Sequence, residues 1–183
     1  MKKKIREKFS KLRVKKYFEL NSNYEGFIYK KIITLCKKNK IKNIGIYYPI
    51  NFELNIINIA NKLKKLSYKI LLPVVGNQNK MSFRQWNDNE PLYINRFGIL
   101  EPDSKNKIIK PNLILAPLLA FDKDKNRLGY GRGFYDRFLN SRSNTSSIIT
   151  AGIAFSFQET KSITAEKHDK KLDYILTEKS MLI

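Results

Sequence analysis

A chain of 183 residues, 42% hydrophobic and with Cys36 as its one cysteine, is sized for a single domain over residues 1–183 and excludes an internal disulfide or a multi-cysteine zinc site. No apolar run approaches the ~20 residues of a membrane span, and the basic N-terminus lacks the apolar stretch of a secretory signal, so a monomeric cytoplasmic protein with no membrane partner is expected. The formal charge of +20 would draw polyanions, but the lysines are scattered through every segment without a nucleic-acid-binding signature, and no specific nucleic acid is expected.

Residues 2–20 read as a basic amphipathic helix with Ile5, Phe9 and Leu12 on one face. Ser22 followed by Glu25 fits a capping box and predicts a second helix to about Lys38. Asn43 to Tyr48 is a short apolar strand stopped by Pro49. Asn55 is placed to cap a third helix whose stripe is Ile56, Ile59, Ala60, Leu63 and Leu66. Tyr68 to Val75 reads as a buried strand, Gly76 to Asn79 as a turn, and Met81 to Trp86 as another strand. Pro91, Gly98 and Pro102 break any regular element between Asn87 and Lys110. Leu113 to Leu119 is a second apolar run, Phe134 to Leu139 opens a helix followed by a polar Ser/Asn stretch, and Ile148 to Phe155 and Leu172 to Leu176 are the last strands. Short buried strands alternating with helices predict a three-layer αβα, Rossmann-like α/β fold with a mostly parallel sheet. Ligands in such sheets sit at the C-terminal ends of the strands.

The densest signal is Arg127-Leu128-Gly129-Tyr130-Gly131-Arg132-Gly133-Phe134-Tyr135-Asp136-Arg137-Phe138-Leu139. Alternating glycines free the backbone to turn and expose successive N–H groups at the start of a helix. With the guanidinium groups of Arg127 and Arg132, they favour an anion, best a phosphate chain. Asp136, one turn in, is the residue type that holds the Mg²⁺ accompanying a nucleoside triphosphate. A metal-site acid is seldom a packing residue, so Asp136→Asn is expected to cost activity and little stability. No Gly-Lys-Ser/Thr closes the loop, so it is not a P-loop, and its glycine spacing does not fit the dinucleotide fingerprint.

The order of features resembles the 5-formyltetrahydrofolate cyclo-ligase (5,10-methenyltetrahydrofolate synthetase) family. The matching pieces are Lys2-Lys3-Lys4-Ile5-Arg6, Tyr47-Tyr48-Pro49 with Glu53, Arg96 to Pro102, Pro117 to Asp122, the Gly loop, Gly152 to Phe155, and His168-Asp169 before Leu172-Asp173. The resemblance implies a fold like that of phosphosugar isomerases and CoA-transferases. It also implies conversion of 5-formyltetrahydrofolate to 5,10-methenyltetrahydrofolate, with ATP as co-substrate, ADP and phosphate as products, and Mg²⁺. By the same resemblance Lys2, Lys3, Lys4, Ile5, Arg6 and the run Arg127 to Tyr135 contact ATP, with Lys3 and Lys4 the least expected to matter. Tyr48, Glu53, Tyr130, Gly131, Arg132, Gly133 and Phe134 hold the folate, and Arg132 and Tyr135 take catalytic roles. Asp136 and Asp169 ligate the metal, with Asp173 as the alternative to Asp169.

Trp86 and Phe97 are open between folate stacking and core packing, and His168 is not expected to act as a base. The chain departs from the family where Tyr130 stands in place of a common Arg or Lys, where Arg132 replaces Gly or Lys, and where Asn55-Ile56 replace an acid followed by Thr. The alternative function is a non-catalytic, basic RNA-associated module on the same scaffold. A CoA-transferase or sugar-phosphate isomerase would need a catalytic carboxylate that the sequence does not place.

Overall fold

The computed structural model describes residues 2–76, 80–141 and 148–183. The chain opens with helices α1 (Lys2–Lys16) and α2 (Ser22–Lys38), then strand β1 (Asn43–Gly45), helix α3 (Ile57–Lys65), and strands β2 (Lys69–Val75) and β3 (Met81–Gln85). A short hairpin follows, β4 (Tyr93–Ile94) with β5 (Leu100–Glu101), then β6 (Leu113–Pro117) and a second hairpin, β7 (Ala120–Phe121) with β8 (Arg127–Leu128). Helix α4 (Phe134–Ser141) and strands β9 (Ile149–Ile153), β10 (Tyr174–Leu176) and β11 (Met181–Leu182) complete it. The expected residues 77–79 of the turn, and residues 142–147 of the Ser/Asn stretch, lie outside the described residues.

The main sheet has the order β11-β10-β9-β6-β1-β2-β3. Its five central strands run parallel, and both edge strands, β3 and β11, are antiparallel. The expectation of a mostly parallel α/β sheet is therefore met. Central strands are apolar on both faces because helices cover both: Leu113, Ile114, Leu115 and Ala116 of β6 are all buried. On one face Ile44, Ile70, Leu72, Leu113, Leu115 and Ile153 pack with Ile28, Ile32 and Cys36 of α2 and Ile59, Ala60 and Leu63 of α3. On the other, Leu71, Ile114 and Ala116 meet Phe83 and Phe138 of α4. Cys36 is inert core, its thiol pushed up to about 12 by burial.

Several element boundaries differ from expectation for identifiable reasons. The first helix stops at Lys16 rather than residue 20, because Tyr17 and Phe18 leave it to pack edge-on and tilted against Phe155. The cap of α2 is Asn21, not Ser22: its Oδ1 accepts from Tyr24 N–H at 3.0 Å. Glu25, freed from a capping role, pairs instead with Lys62 of α3. Asn55 does not cap α3 as expected: the N-cap is Ile56, without a side-chain cap, and Asn55, one residue earlier, accepts from Ile57 N–H at 3.1 Å. Leu66, at that helix's end, is 54% exposed and leaves the apolar stripe. Strand β1 covers only half of Asn43–Tyr48, and β6 ends at Pro117, short of the expected Leu119, before the chain turns into the β7–β8 hairpin.

Two glycines are fixed by packing rather than by turns. A Cβ on Gly45 would lie 2.6 Å from the Phe83 ring, and one on Gly152 would lie 2.6 Å from Leu118, 2.7 Å from Leu172 and 2.8 Å from Ile175. Gly152 sits in β9 between β6 and β10, so none of these three side chains has room to withdraw. Gly152→Ala is expected to destabilise by about 1–3 kcal/mol through overpacking. Urea unfolding of the two proteins checks this, and equal midpoints would contradict it.

Candidate active site

From β1 the chain goes to β2 on one side, and it later returns to the other side of β1 as β6. The crevice beyond the C-terminal ends of β1 and β6 is therefore the topological switch point, where ligands of such sheets bind. A cavity of about 410 Å³ lies there. Tyr47, Tyr48 and Glu53 enter it after β1, Pro73 and Val75 end β2, Pro117 ends β6, and the Gly loop from Gly129 to Tyr135 forms the opposite wall. Asn95, Phe97 and Ile99 close one side from the β4–β5 hairpin.

The Gly loop is shaped by conformation and by charge. Gly131 (φ 95°) and Gly133 (φ 65°) occupy the left-handed region that side chains resist. Gly129 does not, and its carbonyl accepts from Arg6 Nε at 2.9 Å. A Cβ on Gly131 would press on the Arg6 guanidinium at 3.3 Å, and one on Gly133 would press on Arg137 Nη1 at 2.9 Å. The loop thus leads into α4 flanked by Arg6 and Arg137. Upstream, buried Asp122 fixes the β7–β8 turn by accepting from the N–H groups of Asp124 and Asn126 (both 3.0 Å) and of Ile163 (2.8 Å). That turn delivers Arg127.

Arg132 lies 4.2 Å over the Phe97 ring, which in turn packs on Phe134 at 5.4 Å. Phe97 is thus a wall of the cavity. Trp86 is not a lining residue: it packs edge-on to Tyr48 and carries Lys64 over its face. Tyr135 lines the cavity with its hydroxyl buried and without a partner among the described residues. A buried donor left open inside a cavity is what a bound ligand would satisfy.

Helix α1 is docked on the loop through Phe9, which packs with Leu119, Ala120, Leu128 and Ile163, flanked by Ile5 and Leu12. The side chains of Ile5 and Leu128 are therefore packing groups, and Lys3 and Lys4 are exposed and do not line the cavity. Lys2 pairs with Asp169 at 2.6 Å and Glu166 at 2.9 Å. Burial lowers the pKa of its ammonium, but these two partners outweigh that and hold it above the usual lysine value. The sequence reading missed Arg13, which is buried behind the loop with Nη2 donating to the Tyr130 hydroxyl. Its spacing from Lys2 and Arg6, at helical intervals, was the signal available.

Of the acids expected at a metal, Asp136 is tied to the backbone beside Asp169. Asp136 Oδ1 accepts from Arg127 Nη2 at 2.8 Å and from Lys170 N–H at 3.4 Å, next in sequence to Asp169. Asp173 instead accepts from Thr150 N–H and Oγ1, both at 2.8 Å, and ties the starts of β9 and β10 together. Among the described residues no group of three or more His, Cys, Asp or Glu could hold a cation alone. Two carboxylates suit Mg²⁺ that arrives with phosphates and keeps its waters, so the donor set fits that ion. His168 is exposed and paired with Glu166, away from the cavity. The pairing of Asp136 also revises its expected tolerance, because the Arg127 side chain is only 6% exposed. Asp136→Asn leaves that guanidinium unbalanced and is expected to cost about 1.5–3 kcal/mol in chemical unfolding; no measurable loss would refute this.

Glu53 is a buried carboxyl facing the cavity. The turn before it holds Asn51 and Phe52 at positive φ, 48° and 61°. Ile50 N–H donates to Glu53 Oε2 at 3.0 Å, and the Tyr47 hydroxyl donates to Leu54 O at 2.6 Å. Burial pushes the Glu53 carboxyl from 4.5 up to about 7, against the opposing pull of the Ile50 N–H, Arg13 and the Tyr130 hydroxyl. Burial, reinforced by Glu53, likewise pushes the Tyr130 hydroxyl up to about 12 and that of Tyr135 well above its ordinary value. The folded-state value of Glu53 exceeds its unfolded value, so this residue costs stability as pH rises from about 4.5 to about 7, by roughly 3 kcal/mol in full. Glu53→Gln removes that titration. Relative to wild type, the variant is expected to gain about 2–3 kcal/mol between pH 5 and pH 8 in urea unfolding; a constant difference would contradict this account.

A model of the 5-formyltetrahydrofolate cyclo-ligase family matches residues 1–178. The chain is 32% identical over 150 residues to a 5-formyltetrahydrofolate cyclo-ligase of Haemophilus influenzae, covering 79% of this chain and 80% of that protein. It is 32% identical over 175 residues to one of Mycoplasma genitalium, covering 91% and 93%. Its structure is similar to that of a 5,10-methenyltetrahydrofolate synthetase from Aquifex aeolicus, with TM-score 0.75, 27% identity, and coverage of 98% of this chain and 91% of that one.

Proposed function

The chain belongs to the 5-formyltetrahydrofolate cyclo-ligase family, and from that premise we propose how its cavity carries out the reaction. The enzyme is an ATP-dependent ligase that converts 5-formyltetrahydrofolate to 5,10-methenyltetrahydrofolate. The observation that carries the site assignment is that one cavity is walled by both the Gly loop and Glu53, so a triphosphate and a pterin share one space.

In this reading the triphosphate lies on the loop backbone from Gly129 to Gly133. Arg6, Arg127 and Arg132 match its charge, and Lys2 does so from α1. Mg²⁺, held by Asp136 and Asp169 with the phosphates, would neutralise charge on the transferring group. The folate lies against Tyr48, Phe97 and Phe134, with the amine and amide edge of its pterin on Glu53. That places the formyl group at the loop, where phosphoryl transfer asks the protein mainly to position and to neutralise.

The formyl oxygen attacks the γ-phosphorus and the bond to ADP breaks. N10 then attacks the formyl carbon, the carbon–oxygen bond breaks with phosphate as leaving group, and the N10 proton is lost. Phosphorylation is needed because a formamide oxygen leaves poorly by itself. Ring closure is intramolecular, so holding the folate folded lowers its barrier. Arg132 faces the charge that develops on the transferring group, and the unpartnered Tyr135 hydroxyl is a further donor at the same cavity.

Purified protein with 5-formyltetrahydrofolate should generate the absorbance of the methenyl product only when ATP and Mg²⁺ are both supplied. Arg132 is exposed, so Arg132→Ala should lower kcat by about a hundredfold while unfolding within about 0.5 kcal/mol of wild type. A folded variant with full turnover would remove Arg132 from the chemistry.

A further inference from the structure

Residues Lys2, Arg6, Phe9 and Arg13 lie along one side of α1, and each has a task at the loop except, at first sight, the last. Arg13 is 1% exposed, the most deeply buried cation described. Its Nη2 donates to the Tyr130 hydroxyl and its Cζ lies 5.3 Å from the centre of that ring. Nε and Nη1 are buried without a hydrogen-bond partner among the described residues. A guanidinium in this state costs free energy that packing alone does not offset, since an apolar side chain of similar length would fill the space without the penalty. Such a group calls for an electrostatic reason.

The reason lies one residue further in. Tyr130 and Glu53 both line the cavity, whereas Arg13 does not. The Tyr130 hydroxyl interacts with Arg13 on one side and Glu53 on the other, and the Arg13 charge acts directly on Glu53 and on Tyr47. Tyr47, Tyr130 and Tyr135 are the other titratable groups facing Glu53, with Arg127 behind Tyr135. All three tyrosines are pushed upward, so Glu53 is the group of this cluster that titrates near neutrality.

We propose that Arg13 is a positioning residue for the folate: from behind the Gly loop it fixes the Tyr130 hydroxyl and places a positive charge beside Glu53, which receives the donor edge of the pterin. The proposal rests on the reading of Glu53 as the pterin's anchor. The pterin edge offers an amine N–H and an amide N–H side by side, which asks for two acceptors. An ionised carboxylate supplies both, and a protonated one supplies an acceptor and a competing donor. Burial alone would leave Glu53 protonated over much of the neutral range. A cation placed in the cavity would restore the charge but occupy the acceptors. A cation placed behind Tyr130 restores the charge and leaves the cavity face of Glu53 open. The same helix carries Lys2 and Arg6 to the triphosphate side, so docking of α1 prepares both halves of the site together.

The test measures KM for 5-formyltetrahydrofolate between pH 5.5 and pH 9 at saturating Mg-ATP. The proteins are wild type, Arg13→Gln, Glu53→Gln and the double variant, with thermal melting as the check on folding. In wild type, KM should rise as pH falls through about 7. Arg13→Gln should move that rise upward by about one pH unit, raising KM about tenfold within the shifted window. Glu53→Gln should abolish the rise, and adding Arg13→Gln to it should change nothing more.

If Glu53→Gln leaves KM unaltered at every pH, the anchor reading fails and the proposal with it. If Glu53→Gln acts but Arg13→Gln has the same effect in both backgrounds and leaves the midpoint in place, the anchor stands and the positioning role is overturned. Should Arg13→Gln not fold, Arg13→Lys and Tyr130→Phe decide. The first keeps the charge and should keep the wild-type midpoint, and the second breaks the link and should shift it. Any other pattern refutes the proposal.

Discussion

The site depends on the docking of the first helix onto a loop far along the chain. Arg6 and the Gly129 carbonyl are 123 residues apart in sequence, and their hydrogen bond is made possible by Phe9 sinking between Leu119, Leu128 and Ile163. Without that apolar contact neither Arg6 nor Arg13 would have a place by the loop, and Lys2 would not reach Asp169. The parallel sheet supplies the crevice, and α1 adds cations to those of the loop beside it. Loop and helix also fit each other sterically: a side chain at Gly131 would collide with Arg6, so the same glycine serves the turn and the helix.

Much of this was legible because it depends on local pattern. Helices α2 and α3 and strands β2 and β6 carry strong apolar periodicity or unbroken apolar runs, which the sheet then buries on both faces. The Gly loop was legible for a different reason, since positive φ at Gly131 and Gly133 leaves few other residues possible. The two-residue hairpins and β11 were not legible. Strands so short have no periodicity, and they exist because neighbouring elements hold them, as Asn95 does when its Oδ1 accepts from the N–H groups of Phe97 and Ile99. Arg13 was missed for a physical reason too. A cation on a basic helix is ordinarily solvated, and only the fold shows that this one faces inward.

The electrostatics of the cavity run against stability. A carboxyl held near 7 and tyrosine hydroxyls pushed upward all record charge disfavoured by burial, and Asn51 and Phe52 sit in strained backbone just before Glu53. The Glu53 carboxylate accepts one backbone N–H across its turn, from Ile50, while the Tyr47 hydroxyl secures the Leu54 carbonyl. A buried carboxyl with disfavoured charge, facing a cavity next to strained backbone, is characteristic of a group kept for binding.

The paired charges around the loop follow the same logic from the other side. Lys2 is matched by Asp169 and Arg127 by Asp136, so in the absence of ligand these two cations do not repel one another, despite a chain charge of +20. Each pair joins a group suited to phosphate with one suited to a cation. Ligands bearing both charges, as a metal–triphosphate does, can therefore enter by exchanging partners rather than by leaving any buried charge bare. This matters most for Arg127, whose Nε already lacks a partner among the described residues. Carboxylates gathered together without partners would repel one another, whereas Asp136 and Asp169 are each held by a basic residue and are stable as they stand.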